Sequence, residues 1–291
     1  MRRLSAPRAC VVLVVSCAAA AGCRGAPSPA FTQLIEARHV AADLHVQLVR
    51  VSEATDRAVL ADTDEESATN AQQARSALRA VQTGLAELGT LLRQLGYADE
   101  SARLDELGKS FEDYRKADEQ VLTLAVENTN LKAQRLSFGP VREAADAFRG
   151  ALATFARSVP AKDRCRVDGE VARAVLAVRE IQIEQAPHIA EADEAAMSRM
   201  EKDMAARETT AREALAALGR GAKPGALDAA QGELDEFEKL SSELVRLSRR
   251  NTNVRSLSLA LRQLPLLTAA SDAGLTAVEQ ALAKRGFSGT R

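Results

Sequence analysis

Between Leu78 and Leu95 an apolar series runs through Leu78, Val81, Leu85, Leu88, Leu92 and Leu95, in steps of three and four. That spacing puts all six on one face of a helix with 3.6 residues per turn. The same rhythm returns at Leu104, Leu107, Phe111, Tyr114 and Val121, and again at Leu227, Leu234, Phe237, Leu240, Leu244 and Leu247. Alternating steps of three and four form the seam of long helices packed at shallow angles. No segment shows sustained strand alternation between turn signals. Composition agrees: Trp is absent and aromatics are 3% of 291 residues. That disfavours β-sandwich cores, base-stacking surfaces and carbohydrate platforms. The formal net charge of −1 gives no global pull toward nucleic acid or acidic membrane. The expected fold is all-α, with two tandem antiparallel four-helix-bundle-like units of long helices.

Punctuation divides the chain into eight predicted helices, at about 31–62, 64–96, 99–128, 130–158, 166–189, 191–219, 224–250 and 252–285. Gly96-Tyr97 and the glycine-rich stretch from Gly219 to Gly225 are the clearest loops. Pro140, Pro187 and Pro265 fall inside predicted helices, where each is expected to kink the helix or start a new one. Ser158-Val159-Pro160-Ala161 is read as the division between a first bundle, 31–159, and a second, 166–285.

The two halves are copies. At a constant offset of 123 residues, Leu104-Asp105 matches Leu227-Asp228, Phe111 matches Leu234, and Tyr114 matches Phe237. Further on, Leu124 matches Leu247, and Asn128-Thr129-Asn130 matches Asn251-Thr252-Asn253. Upstream, Ala61 to Glu65 resembles Ala190 to Glu194 at an offset of 129, so the second copy is shorter between its second and third helices.

The first 23 residues read as an export signal. Arg2, Arg3 and Arg8 precede an apolar run from Ala9 to Ala21 that is too short for a transmembrane helix. Ala20-Ala21-Gly22-Cys23 resembles the lipobox of bacterial lipoproteins, which implies lipidation of Cys23. Val14-Val15-Ser16-Cys17 is the second candidate, and an ordinary cleavable signal with incidental cysteines is the plain alternative. Residues 24–30 follow as a Gly- and Pro-containing tether, and 286–291 form a tail. Arg24 after the cysteine favours the outer membrane in a Gram-negative cell. Only Cys165 lies in the folded part, so no internal disulfide is available.

The stretch from Leu104 to Leu152 resembles the last two helices of the four-helix-bundle sensor domain of methyl-accepting chemotaxis receptors. It reads Phe111, Tyr114 and Val121-Leu122-Thr123-Leu124-Ala125, then a break at Asn128 to Asn130, then Ala133, Leu136 and Pro140. The second copy reads Phe237 and Leu244-Val245-Arg246-Leu247-Ser248, the break, then Ser256 and Leu259. The resemblance implies a ligand-binding bundle that often dimerises. The family's second membrane helix and cytoplasmic signalling module have no counterpart before Arg291, so a fold is expected to carry over and a transmembrane signalling role is not.

Candidate chemistry is sparse. The Asn-Thr-Asn pair is read chiefly as helix ends and caps, since Asn tolerates the left-handed conformation and Asn or Thr caps the next helix. The alternative is amide groups poised for a small polar ligand. Glu184, His188 and Glu191 share a helical face at spacings of four and three and are the one candidate metal set. His188-Ile189-Ala190-Glu191 also resembles the His-x-x-Glu of imelysin-like proteins, exported two-bundle proteins linked to iron. Ala186 and Pro187 depart from that pattern, and a solvated histidine among surface glutamates is the plain reading of His188. His39 and His45, six apart, point to different faces. The acids from Asp62 to Glu66 lack calcium-loop spacing and suit a helix N-terminus. Met197, Met200 and Met204 read as core filler. No catalytic motif and no cofactor motif is present.

The expected function is a non-enzymatic, lipid-anchored, extracytoplasmic binding or interaction module. Its expected partners are the membrane, through the lipid, and a small polar ligand, an envelope protein or a second copy of the chain. Nucleic acid is excluded as a partner. A metal-handling bundle and a purely structural spacer are the alternatives.

Overall fold

The computed structural model describes residues 28–285. The export signal, Cys17, Cys23, residues 24–27 of the tether and the tail at 286–291 lie outside the described residues. The elements are α1 (Pro29–Val59), α2 (Asp64–Leu95), α3 (Ala98–Glu127), α4 (Thr129–Leu136), a π-turn (Ser137–Val141) and α5 (Arg142–Ser158). After a 3-10 turn (Ala161–Asp163) come α6 (Arg164–Ala190), α7 (Glu194–Gly219), α8 (Asp228–Arg250), α9 (Thr252–Arg262) and α10 (Leu264–Lys284). No strand occurs among the described residues, and no helix there is long and apolar enough to cross a membrane.

Local chemistry sets the ends. Ser28 and Thr63 accept hydrogen bonds from Phe31 N and Glu66 N, capping α1 and α2. Asp64, Glu65 and Glu66 lie in the first turn of α2, where the helix dipole favours acids. Gly96 closes α2 at φ 71°, and Gly221 and Gly225 supply positive φ in the loop before α8. Two of the three prolines fall at breaks in the helical pattern as expected, and Pro187 lies inside its helix near the end. Pro140 sits in the π-turn, Pro187 in the last turn of α6, and Pro265 in the first turn of α10. A widened turn accommodates a residue without an N–H.

Two cores result, and their membership corrects the expected division of the chain. The first gathers Leu34 to Ala125 with Leu264, Leu275, Val278 and Leu282, so bundle one is α1, α2, α3 and α9–α10. The second runs from Ala133 to Leu244, so bundle two is α4–α5, α6, α7 and α8. The pairing of 31–159 against 166–285 therefore does not describe the bundles. Each sequence repeat keeps three helices in one bundle and gives its fourth to the other. The segment at Pro160 is a tight turn inside bundle two. The bundles meet end to end at a waist, where α3 passes into α4 at Asn128 and α8 passes into α9 at Asn251.

Candidate functional site

The two crossings meet at the waist, and their side chains are almost wholly buried. Asn128, Thr129 and Thr252 are each 1% exposed. Asn128 and Asn251 have φ of 55° and 52°, the only positive values on non-glycine residues described. One left-handed residue redirects each helix without a loop. The new helices α4 and α9 then begin with unpaired amide donors. Neither is capped by its own side chain. Each is capped by the other copy. Thr129 N donates to Thr252 Oγ1 at 3.0 Å, and Thr252 N donates to Thr129 Oγ1 at 3.2 Å. Asn130 N and Asn253 N donate to each other's Oδ1, both at 3.1 Å.

The amide groups complete a pseudo-two-fold network. Asn130 Nδ2 donates to Asn251 Oδ1, and Asn253 Nδ2 donates to Asn128 Oδ1. Asn128 Nδ2 donates to Asp64 Oδ1 at 2.8 Å, and Asn251 Nδ2 donates to Glu191 O at 2.7 Å. Asp64 also accepts from Arg135 of α4. The acidic stretch read as a helix corner thus also ties the α1–α2 turn to the waist. Glu127 and Arg250, which occupy matching places in the two copies, form an ion pair across the joint. The cap reading of the Asn-Thr-Asn pair holds for the left-handed ends. The capping itself runs between copies, which one copy's sequence does not disclose.

Beside this joint lies an open groove of about 330 Å³. Leu131, Phe138, Ile189 and Val254 give it apolar walls, with Gln134 and Asn253 as polar lining. Phe138 is 60% exposed, projecting from the π-turn. π-Turns of this kind recur at functional positions.

A second polar cluster lies in bundle two. His188 and Ser248 are fully buried. His188 Nδ1 is 2.8 Å from Ser248 Oγ, and Nε2 is 2.9 Å from Glu201 Oε1. Arg249 grips the Glu201 carboxylate through Nε and Nη2 and holds it below the usual carboxylate range, with the His188 contact adding to the effect. The order Ser-His-Glu resembles a hydrolytic triad, but the serine is sealed from solvent and donates to the His188 carbonyl at 2.8 Å. Both ring nitrogens of His188 are occupied by these partners. The metal set read from sequence does not assemble: Glu191 instead accepts from Ala192 N and Asp193 N. Among the described residues no three His, Cys, Asp or Glu side chains are placed to share an ion. Met197 and Met204 are buried as core, and Cys165 is exposed on the first turn of α6.

Fold and joint together define the class: a two-bundle, all-α module with exchanged fourth helices. Among solved structures the chain is similar to the sensor domain of the histidine kinase sensor TorS from V. parahaemolyticus, with a TM-score of 0.57 and 13% identity. The match covers 87% of this chain and 100% of that one. A TorS sensor domain solved in complex with TorT in the presence of TMAO matches at a TM-score of 0.44 and 13% identity, over 85% and 99% of the two chains. No family model and no curated protein matches the chain. The likeness is one of fold, to a helical sensor domain of a histidine kinase where the sequence resembled that of a chemotaxis receptor.

Proposed function

We propose that the protein is a non-enzymatic, extracytoplasmic sensor-like module, held to the cell envelope by a lipid on Cys23, whose binding place is the groove at the waist. The observation that carries this reading is the position of the groove. A ligand or partner seated against Phe138, Leu131 and Val254 touches α4, its π-turn and α9 together, and so touches both bundles where they meet. Differential contact with two such bodies is what lets a bound group bias their relative packing. The likeness to a sensor domain along most of the chain supports it. The groove's volume and mostly apolar lining suit a small organic molecule carrying a polar group, or the side chain of an envelope partner.

The test is a thermal-shift screen of the purified protein against organic acids, amino acids and amines, repeated on Phe138→Ser. A ligand at one hundred times its dissociation constant stabilises the fold by about 2.7 kcal/mol. A rise in Tm that Phe138→Ser abolishes is the expected result; a rise untouched by that substitution would move the site elsewhere. Leu257 and Leu261, 39% and 69% exposed on α9, extend the apolar surface from Val254. A second copy of the chain is the other occupant this surface suits, and sedimentation of the protein would show it as a dimer. For the anchor, Cys23→Ser is expected to move the protein from the membrane to the soluble fraction; unchanged fractionation would overturn it.

A further inference from the structure

Asp118 of α3 is 0% exposed in the core of bundle one. Its Oδ1 accepts from Thr55 Oγ1 of α1 at 2.8 Å, and its Oδ2 has no hydrogen-bond partner. One turn earlier on α3, the Tyr114 hydroxyl is also buried without a well-formed hydrogen bond, facing Ser52 of α1 and Thr268 of α10. The charged groups that act on Asp118 are Asp56 of α1, Arg75 of α2 and its own neighbour Glu119. Arg75, the one cation among them, is committed to Glu119, with contacts of 2.8 and 3.0 Å. A buried carboxylate with one neutral donor, two acids nearby and its cation already engaged is costly to ionise. Toward the waist, the next layer is made of Ala54, Ala58, Ala71, Ala74 and Leu122, whose small side chains let α1, α2 and α3 approach closely.

We propose that Asp118 is a proton-binding site built into bundle one, neutral while α1 and α3 are tightly packed and loosening them above the waist when it ionises. The ligand of this site is the proton, and the site is separate from the groove. Burial pushes Asp118 up to about 7; Glu119 and Asp56 add to the rise, and Thr55 and Arg75 oppose it. Asp56 is itself raised by burial. The usual value of 3.8 applies to the unfolded chain. The folded form therefore holds the proton more tightly. Stability from this group is complete below about 4, falls as pH rises toward 7, and levels off above it. Across the neutral range the module is thus an input for acidity, beyond any ligand it binds.

The test compares Tm against pH, from 5 to 8.5, for the purified protein and for Asp118→Asn. The asparagine keeps the acceptor for Thr55 and cannot ionise. Relative to the variant, the wild type is expected to lose several degrees between pH 5 and 8, with the variant the more stable at pH 8. Parallel curves would overturn the proposal. If the variant fails to fold, carbon NMR of the aspartate carboxyls in the wild type decides. One buried Asp titrating between pH 6 and 8 is expected, and its absence would overturn the site. Hydrogen exchange of the α1 amides from Ala54 to Val59 reads the mechanical half: protection falling as pH rises supports loosening, and protection constant across that range refutes it.

Discussion

Asn128 and Asn251 each turn a helix in one residue, each accept a hydrogen bond from the other copy, and each donate within their own copy, to Asp64 and to Glu191. The two roles separate by substitution. Asn128→Gly loses the amide bonds and keeps the φ of 55° at no steric cost; Asn128→Ala loses the same bonds and adds strain. The alanine variant is therefore expected to be about 1 kcal/mol less stable than the glycine variant in urea unfolding; equal stabilities would mean the backbone relaxes out of the left-handed region. At this scale the sequence was partly legible. The left-handed ends followed from what asparagine tolerates. His188 read as a surface residue among acids, because its partners Ser248 and Glu201 lie 60 and 13 positions away. Asp118 went unread, although the stripe Leu107, Phe111, Tyr114, Val121 leaves a gap where position 118 belongs. A polar residue at a core position of a helical stripe is the signal that marks it, and Gln185 and His188, spaced behind Ile181, repeat it.

Helix ends were the most legible elements, because caps and glycines act within a turn of where they stand. Partner choice was not legible: a stripe of leucines states which face is buried and is silent on which helix covers it. That is why the eight predicted segments recur within a few residues while the bundles they build are exchanged. Close helix contacts also depend on single glycines. A Cβ on Gly274 of α10 would sit 3.3 Å from Leu107 Cδ1 of α3, closer than a relaxed carbon contact, with Leu107 Cβ and Cα at 3.4 and 3.5 Å just behind it, whereas Gly150 and Gly232 face open space. Gly150→Ala and Gly232→Ala are each expected to stabilise the protein by about 0.5–1 kcal/mol through helix propensity. Gly274→Ala is expected to show no gain or a loss. Chemical denaturation of the three variants checks this, and a gain at Gly274 equal to the others would show that α3 and α10 pack more loosely than described.

At the scale of the whole molecule, the repeats are units of sequence and not of folding. The fragment 28–159 carries α1, α2 and α3 but lacks the α9–α10 segment that closes their core. It is expected not to form a folded monomer, and a small cooperative monomer by calorimetry and light scattering would contradict the exchange. Added residues 160–285 supply the missing helix and should restore the fold. The exchange has a mechanical corollary. Because α10 returns to bundle one, Arg38 near the start of α1 donates to Leu282 O near the end of α10, and Arg285 grips Glu100 at the same end. The two described ends of the chain leave side by side. Tension applied between them peels α1 from α10 one turn at a time, like a zipper, and leaves the waist and the whole of bundle two unloaded until bundle one has opened.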